Sequence, residues 1–300
     1  MNTHDIEAFL AVVETGSIMA AATRLNLTQP GVTRRVQNLE EHLGVALFER
    51  PGKPLRPTLA GREAYEHGRR VVQAIDDLRS GAAPGGAVRG EMRLGVTPDL
   101  SEPLLAAPVD SLRAAFPELM LRLTMSWSAP LLEQLQRNQI DAAALSLPDG
   151  AEPPDGLAAE AIDRQAVLVV AAHGADLPEG VAEGVALRDL ARHPWILSQD
   201  SCGYRVTLRR RFEAENLPFT VGIEAPTADL RLSLAARGLG LALVTPGRLD
   251  RSPWRDRLRI VAVSDFAPVI RSWLLHRPAT GRLHRPLAAL RTALRDAVAG

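Results

Sequence analysis

The residues with the clearest recognition chemistry sit together between Thr28 and Gln37. Thr28, Gln29, Pro30, Thr33, Arg34 and Gln37 supply hydroxyl, amide and guanidinium groups at the leading end of one short stretch, and such groups suit the base edges of a DNA major groove. Thr28 is a good N-cap, and Pro30 falls in a first turn whose amides have no intrahelical partners. Val32, Val36, Leu39 and Leu43 recur at helical period as one apolar stripe, with Gly44 as the stop. The opposite side carries Pro30, Arg34, Gln37, Asn38 and Glu41, with Arg35 at its edge. The spacing predicts a helix that locks one face into a small core and offers its polar start to a groove.

The flanking segments read as the frame for that helix. Ile6, Phe9, Leu10 and Val13 predict a first helix ending near Gly16, and Ser17 caps a second through the alanines to Leu25. Small residues in that second helix allow the close approach that helix-turn-helix packing requires. Leu47 and Phe48 give an apolar anchor, followed by Arg50, Lys53 and Arg56 among Pro51, Gly52, Pro54 and Pro57. The prolines and glycine predict a stiff wing presenting cations to phosphate. The whole chain is balanced at 35 basic and 35 acidic residues, so a global polyanion signal is absent. From Arg24 to Arg62, however, seven basic residues face three acidic ones. Lys53 is the sole lysine; guanidinium suits bidentate readout of guanine, but a GC-rich coding bias accounts for most of that preference.

Downstream, a helix is expected from Thr58 to about Ser80. Ala64, Gly68, Val71, Ile75 and Leu78 follow heptad spacing, which fits either a pairing helix between two copies or a helix lying on its own domain. Residues 81–90 are too rich in glycine, with a proline, to continue it, and read as a hinge. Beyond the hinge, strand-like runs at Met92–Val96, Leu119–Met125 and Ile140–Leu145 alternate with helical patterns. A second set follows, with runs near Val167–Ala171, Pro194–Leu197, Phe219–Ile223 and Leu239–Val244, and Arg271–His276 can return to the first. Such alternation predicts parallel sheet in two α/β lobes around a cleft.

Ligands of open α/β sheets bind where strands end and helices begin. Four junctions qualify, and all carry hydroxyls: Thr97-Pro98-Asp99, Ser126-Trp127-Ser128, Ser198 to Tyr204, and Thr227-Ala228-Asp229. Each Ser, Thr or Asp can instead cap its helix. Trp127 can stack on a ligand ring or merely pack. Asp99, Asp200 and Asp229 favour a polar or cationic ligand if they face inward, and say nothing if they cap.

Several function classes are disfavoured. Neither a Gly-x-Ser-x-Gly elbow nor a phosphate-loop motif occurs, so an enzyme is not expected and no catalytic residue is assigned. Seven histidines without paired spacing and a single cysteine, Cys202, predict no metal, no cofactor and no intramolecular disulfide. Cys202 reads as a small pocket or core residue, with thiol oxidation as the less favoured alternative. No apolar leader follows Met1 and no long apolar run occurs, which predicts a cytoplasmic chain without a membrane partner. A solute-binding transport protein of the same bilobed fold, or a protein-interaction module, are the rival readings.

The segment Phe9–Gly61, containing "GSIMAAATRLNLTQPGVTRRVQNLEEHLGVALFER" and "LRPTLAG", resembles the N-terminal domain of LysR-type transcriptional regulators. The resemblance implies an N-terminal α winged helix-turn-helix (1–58), a long linker and dimerisation helix (59–80), a hinge (81–90) and an α/β bilobed periplasmic-binding-protein-like effector domain (91–300). The lobes would be about 91–161 plus 267–300, and 162–266. Gln29, Pro30, Thr33 and Arg34 would face bases, and Thr28, Arg50, Lys53 and Arg56 would lie near phosphates. Thr97, Pro98, Asp99, Trp127, Ser128, Ser198, Ser201, Cys202, Tyr204 and Thr227 would face a small-molecule effector whose identity the residues leave open. Promoter DNA, a second copy of the chain in a dimer or dimer of dimers, and RNA polymerase are the partners implied. Gly31 and Thr33 depart from the usual alanine and serine of the family.

Overall fold

A computed structural model describes residues 2–49, 55–81, 87–101, 106–177, 184–200 and 202–299. The chain divides near residue 86 into two compact units, the second running on from there apart from the short turn 281–283.

The first unit is helical. Helix α1 (Thr3–Thr15) starts in a capping box between Asn2 and Asp5 and ends at Gly16, whose positive φ gives the left-handed stop. Ser17 caps α2 (Ile18–Leu25), which ends on Asn26, also left-handed at φ 53. Thr28 caps α3 (Gln29–Leu43) through Gly31, and Gly44 closes it. Phe9, Val12, Ala21, Val32, Leu39 and Leu47 form the centre of one core, with Phe9 and Phe48 edge to face at 5.6 Å. The stripe of α3 is shorter than predicted: Val32, Val36 and Leu39 are buried, but Leu43 is 44% exposed because the helix leaves the core before its last turn. After Leu47, the chain doubles back on itself. Glu49 donates its amide to the Arg56 carbonyl at 2.9 Å and Phe48 bridges Pro57 antiparallel, so the base of a wing is formed. Thr58 then caps α4 (Leu59–Gly81) through the Gly61 amide.

The second unit has two sheets. The elements are β1 (Gly90–Val96), α5 (Ala106–Ala115), β2 (Leu119–Met125), α6 (Ser128–Gln136), β3 (Ala142–Pro148), β4 (Ala158–Ala166), β5 (Leu168–Ala172), β6 (Trp195–Leu197), α7 (Gly203–Ala214), β7 (Val221–Glu224), α8 (Ala228–Ala236), β8 (Leu241–Val244), α9 (Pro246–Asp250), β9 (Leu258–Val261), β10 (Val269–His276) and α10 (His284–Ala299). The first sheet has order β2-β1-β3-β10-β4 and the second β7-β6-β8-β5-β9.

Both sheets are mixed, where sequence alternation predicted parallel ones. β10 runs antiparallel to β3 and β4, and β5 antiparallel to β8 and β9. The physical reason is that β4 feeds β5 through a single residue, Val167, and β10 brings the chain back, so the strands that cross between lobes set the direction. β4 therefore keeps the chain in the first lobe to Ala166, a few residues beyond the expected boundary at 161/162. Strand β3 is apolar apart from Ser146, as a buried strand with parallel pairing should be, and Ala142–Leu147 is buried throughout. A buried ion pair ties β1 to the head of β3, with Arg93 giving Asp141 hydrogen bonds of 2.7 Å from its amide, 3.2 Å from Nε and 2.7 Å from its terminal nitrogen.

Candidate functional site

In the first unit the leading end of α3 is free of the core. Gln29, Pro30, Arg34, Gln37 and Asn38 are exposed, while Val32 and Val36 behind them are buried. Thr28 spends its hydroxyl on the Gly31 amide at 3.2 Å, so its role in the structure is to cap. Thr33 likewise bonds the Gln29 carbonyl at 3.0 Å, which leaves its methyl group as the part of the side chain not already engaged. Arg56 is exposed at the base of the wing; Arg50 and Lys53 lie outside the described residues.

The heptad of α4 divides in two. Ala64, Tyr65 and Val72 pack on the core of the first unit, and a Cβ on Gly68 would come within 2.9 Å of Ile6 Cγ2, so the glycine is what lets α4 lie on α1. The early positions of the repeat are thus spent within the chain. Val71 and Leu78, at 44% and 74% exposure, keep an apolar face open.

In the second unit the carboxyl ends of β1 and β3 and the amino ends of α6, α7 and α8 converge on a cleft between the lobes. Thr97, Pro98, Asp99, Trp127, Ser128, Cys202 and Tyr204 all line it, as the strand-end argument predicts. Ser146 at the end of β3 organises the floor. Its hydroxyl donates to Asp99 at 2.6 Å and lies 3.3 Å from that of Ser272, and its carbonyl accepts from Ser128 at 2.8 Å. Gly203 permits the approach of α7, because a Cβ there would sit 3.2 Å from Pro148 of β3. Thr97 is 2% exposed, and its hydroxyl oxygen has no hydrogen-bond partner among the described residues. A buried orphan hydroxyl on a cleft wall is one that a ligand or water would satisfy.

Arg231 is the main residue that sequence reasoning missed. It projects from α8 at 6% exposure, and its guanidinium gives hydrogen bonds of 3.0 and 3.2 Å to the Ala225 and Pro226 carbonyls. Burial pulls its pKa down, opposed by neighbouring Cys202, Tyr204 and Asp99. Burial also pushes the Tyr204 phenol well above its ordinary value, and the Asp99 charge adds to that. The available signal was an arginine four residues after the Thr227 cap, on the face of α8 that must be apolar. Ser146 carried no such signal, being one serine in an apolar strand.

Other expectations need correction. Thr227 caps α8 through the Leu230 amide at 3.3 Å and does not line the cleft, where its neighbours Pro226 and Ala228 do. Ser198 is buried beside the cleft, and its carbonyl holds Arg205 at 2.7 Å. Of the three acids left open, only Asp99 faces the cleft. Asp200 pairs with Arg205 and Arg209, and Asp229 with Arg248 at 2.8 Å, as arginine neighbours neutralise them. Ser201 lies outside the described residues.

Comparison with known proteins agrees with this anatomy. Residues 3–62 match the bacterial regulatory helix-turn-helix domain of the lysR family, and residues 85–299 the LysR substrate binding domain. The regulator CbbR of Xanthobacter flavus is 30% identical over 276 residues, covering 89% of this chain and 79% of its own. BenM of Acinetobacter baylyi is 29% identical over 247 residues, covering 81% and 80%. Among solved structures, a full-length OxyR variant from Pseudomonas aeruginosa superposes with a TM-score of 0.73 at 18% identity, covering 98% of this chain and 95% of that one. Full-length CbnR in complex with its target DNA gives 0.61 at 20% identity, covering 99% and 100%. With a helix-turn-helix at one end and a bilobed sensor domain over the rest, this chain belongs to the LysR family and is a ligand-responsive, DNA-binding transcriptional regulator.

Proposed function

We propose that a small molecule held in the interlobe cleft changes how paired copies of the first unit engage promoter DNA. The observation that carries the reading is the cleft itself: a buried, unpartnered Thr97 hydroxyl and a buried Arg231 guanidinium on the wall of one cavity. Cleft occupancy would favour one arrangement of the lobes, and the effector must bind that arrangement better than the other to have any effect. On the DNA side, Gln29, Pro30, Arg34 and Gln37 face bases, and Arg56 faces phosphate together with Arg50 and Lys53. A second copy of the chain pairs along the exposed apolar positions of α4, Val71 and Leu78, which sets the spacing of the two recognition helices. No step in this scheme is catalytic, no cofactor enters it, and its place is the cytoplasm, beside the promoter and RNA polymerase.

Thr97→Val tests the sensor half, since it keeps the shape of the side chain and removes the hydroxyl. DNA affinity without effector should match the parent, and the change on adding cell metabolite extract should be lost. Equal weakening of DNA binding with and without extract would make Thr97 structural and refute the assignment.

A further inference from the structure

We propose that Glu14 is a positioning residue for DNA recognition: its carboxylate fixes the angle between α4 and the helix-turn-helix, and thereby sets which half-site spacing a pair of copies accepts. This rests on the reading of α4 as the helix along which two copies pair, and adds what holds that helix at one angle to the reading head.

Glu14 lies in the last turn of α1, beside the stop at Gly16. Its two carboxylate oxygens serve different helices. Oε2 accepts from Arg24 of α2 at 2.6 Å, and Oε1 accepts from the Tyr65 hydroxyl of α4 at 3.1 Å. The Tyr65 ring packs against the core of the first unit, and its hydroxyl accepts in turn from Arg69, one turn along α4, at 3.5 Å. The Arg69 guanidinium also lies over the ring, 5.7 Å from its centre. Burial raises the Tyr65 pKa and the Glu14 charge adds to the effect, as suits a phenol that keeps its proton and donates it to a carboxylate. A chain of hydrogen bonds therefore runs from Arg69 through Tyr65 to Glu14, where Arg24 meets it from the other side. The same end of α1 anchors the wing, because the Leu55 amide donates to the Gly16 carbonyl at 3.2 Å.

Apolar packing alone does not set the angle of α4. Its contact with α1 is made by small residues, Ala64 and Gly68, the latter close against Ile6. Crossing angles of packed helices scatter by about 15–20°. Tyr65 and Leu78 are 13 residues apart, an arm of roughly 20 Å at about 1.5 Å per residue. A tilt of about 15° over that arm moves a reading head by about 5 Å, between one and two base-pair steps of roughly 3.4 Å. Hydrogen bonds from Glu14 to both neighbours remove this freedom because they are directional. They add little to stability, since the Glu14 and Arg24 side chains are 30% and 55% exposed. Their consequence is geometric.

The test is binding of the full chain to DNA upstream of its own coding sequence, with one to three base pairs added or removed between the two tracts that the parent protects in a footprint. The parent should favour one spacing by about tenfold or more over its neighbours, because DNA must twist or bend to meet heads held at a fixed separation. Tyr65→Phe keeps the ring in the core and should melt with the parent, yet flatten the spacing profile to within about threefold. Glu14→Ala should flatten it equally, and the double variant no further, as partners in one contact behave. Glu14→Gln retains an oxygen for Tyr65 and should fall between Glu14→Ala and the parent. A loss of affinity that is uniform across all spacings, with the profile unchanged, would make Glu14 merely structural and overturn the proposal. Affinity and profile both unchanged in Tyr65→Phe and Glu14→Ala would overturn it while leaving the pairing along α4 intact. A parent indifferent to spacing would overturn the pairing reading as well.

Discussion

Asp141→Ala should destabilise the second unit by about 3–5 kcal/mol, the usual result of breaking a buried ion pair by removing one partner. The side chains of Arg93 and Asp141 are 10% and 1% exposed, so neither can fall back on water. The carboxylate accepts three hydrogen bonds from Arg93, and Asp141 returns its own amide to the Arg93 carbonyl at 2.8 Å. Removing it leaves a buried guanidinium and a buried amide with no acceptor. The consequence reaches the cleft because this pair fixes β1 against β3 one residue before Leu94 meets Ala142; β1 leads directly into Thr97 and Asp99, and β3 carries Ser146. Replacing both partners by apolar residues, Arg93→Met with Asp141→Leu, should recover most of the loss. Urea unfolding followed by tryptophan fluorescence reads the result cleanly, since Trp127, Trp195, Trp254 and Trp273 all lie in the second unit. A single variant within about 1 kcal/mol of the parent, or a double variant as damaged as the single one, would refute the argument.

Thr227→Ala removes a cap and should cost about 1 kcal/mol in the same unfolding assay, with the effector response intact. Gly31→Ala gains roughly 1 kcal/mol of helix propensity but brings a Cβ within 3.1 Å of Thr28 Oγ1, crowding the cap. Its melting temperature and its DNA affinity by fluorescence anisotropy should both match the parent, whereas a large affinity loss would mean that DNA needs the bare backbone at Gly31. Tyr204 titrates above its ordinary value of 10.0 in the folded chain, so its neutral form stabilises the fold. That contribution is complete below pH 10.0 and fades as pH rises through the elevated value. Fluorescence-monitored stability should therefore fall more steeply above that pH in the parent than in Tyr204→Phe, and identical slopes would contradict it.

The first unit was legible because its signals are local. Thr28, Pro30 and Gly44 mark the ends of α3 by capping chemistry alone, and Ser17 and Gly16 do the same upstream. The heptad of α4 was legible as a pattern but not in its use, since nothing local distinguishes Gly68 lying on Ile6 from a seam with a second copy. In the second unit the strand-end rule located Thr97, Asp99, Trp127, Ser128, Cys202 and Tyr204. It failed at Thr227, where the hydroxyl that marks a helix start is consumed by capping it. Strand β4 went unread because "AAEAIDRQA" is a half-exposed edge with weak strand formers, held in place by its pairing with β10. Arg231 and Ser146 were invisible for a related reason. Their importance comes from β3, α7 and α8 meeting, which no single segment records.

The central claim, that the start of α3 reads DNA sequence, is tested most directly by full-chain binding to DNA upstream of its own coding sequence and to random DNA, each over a range of salt. Arg34→Ala should lose the preference for the specific site, while Arg56→Ala should weaken both DNAs alike and reduce the salt slope by about one. Equal loss on random DNA for both variants, with the preference intact, would contradict the account.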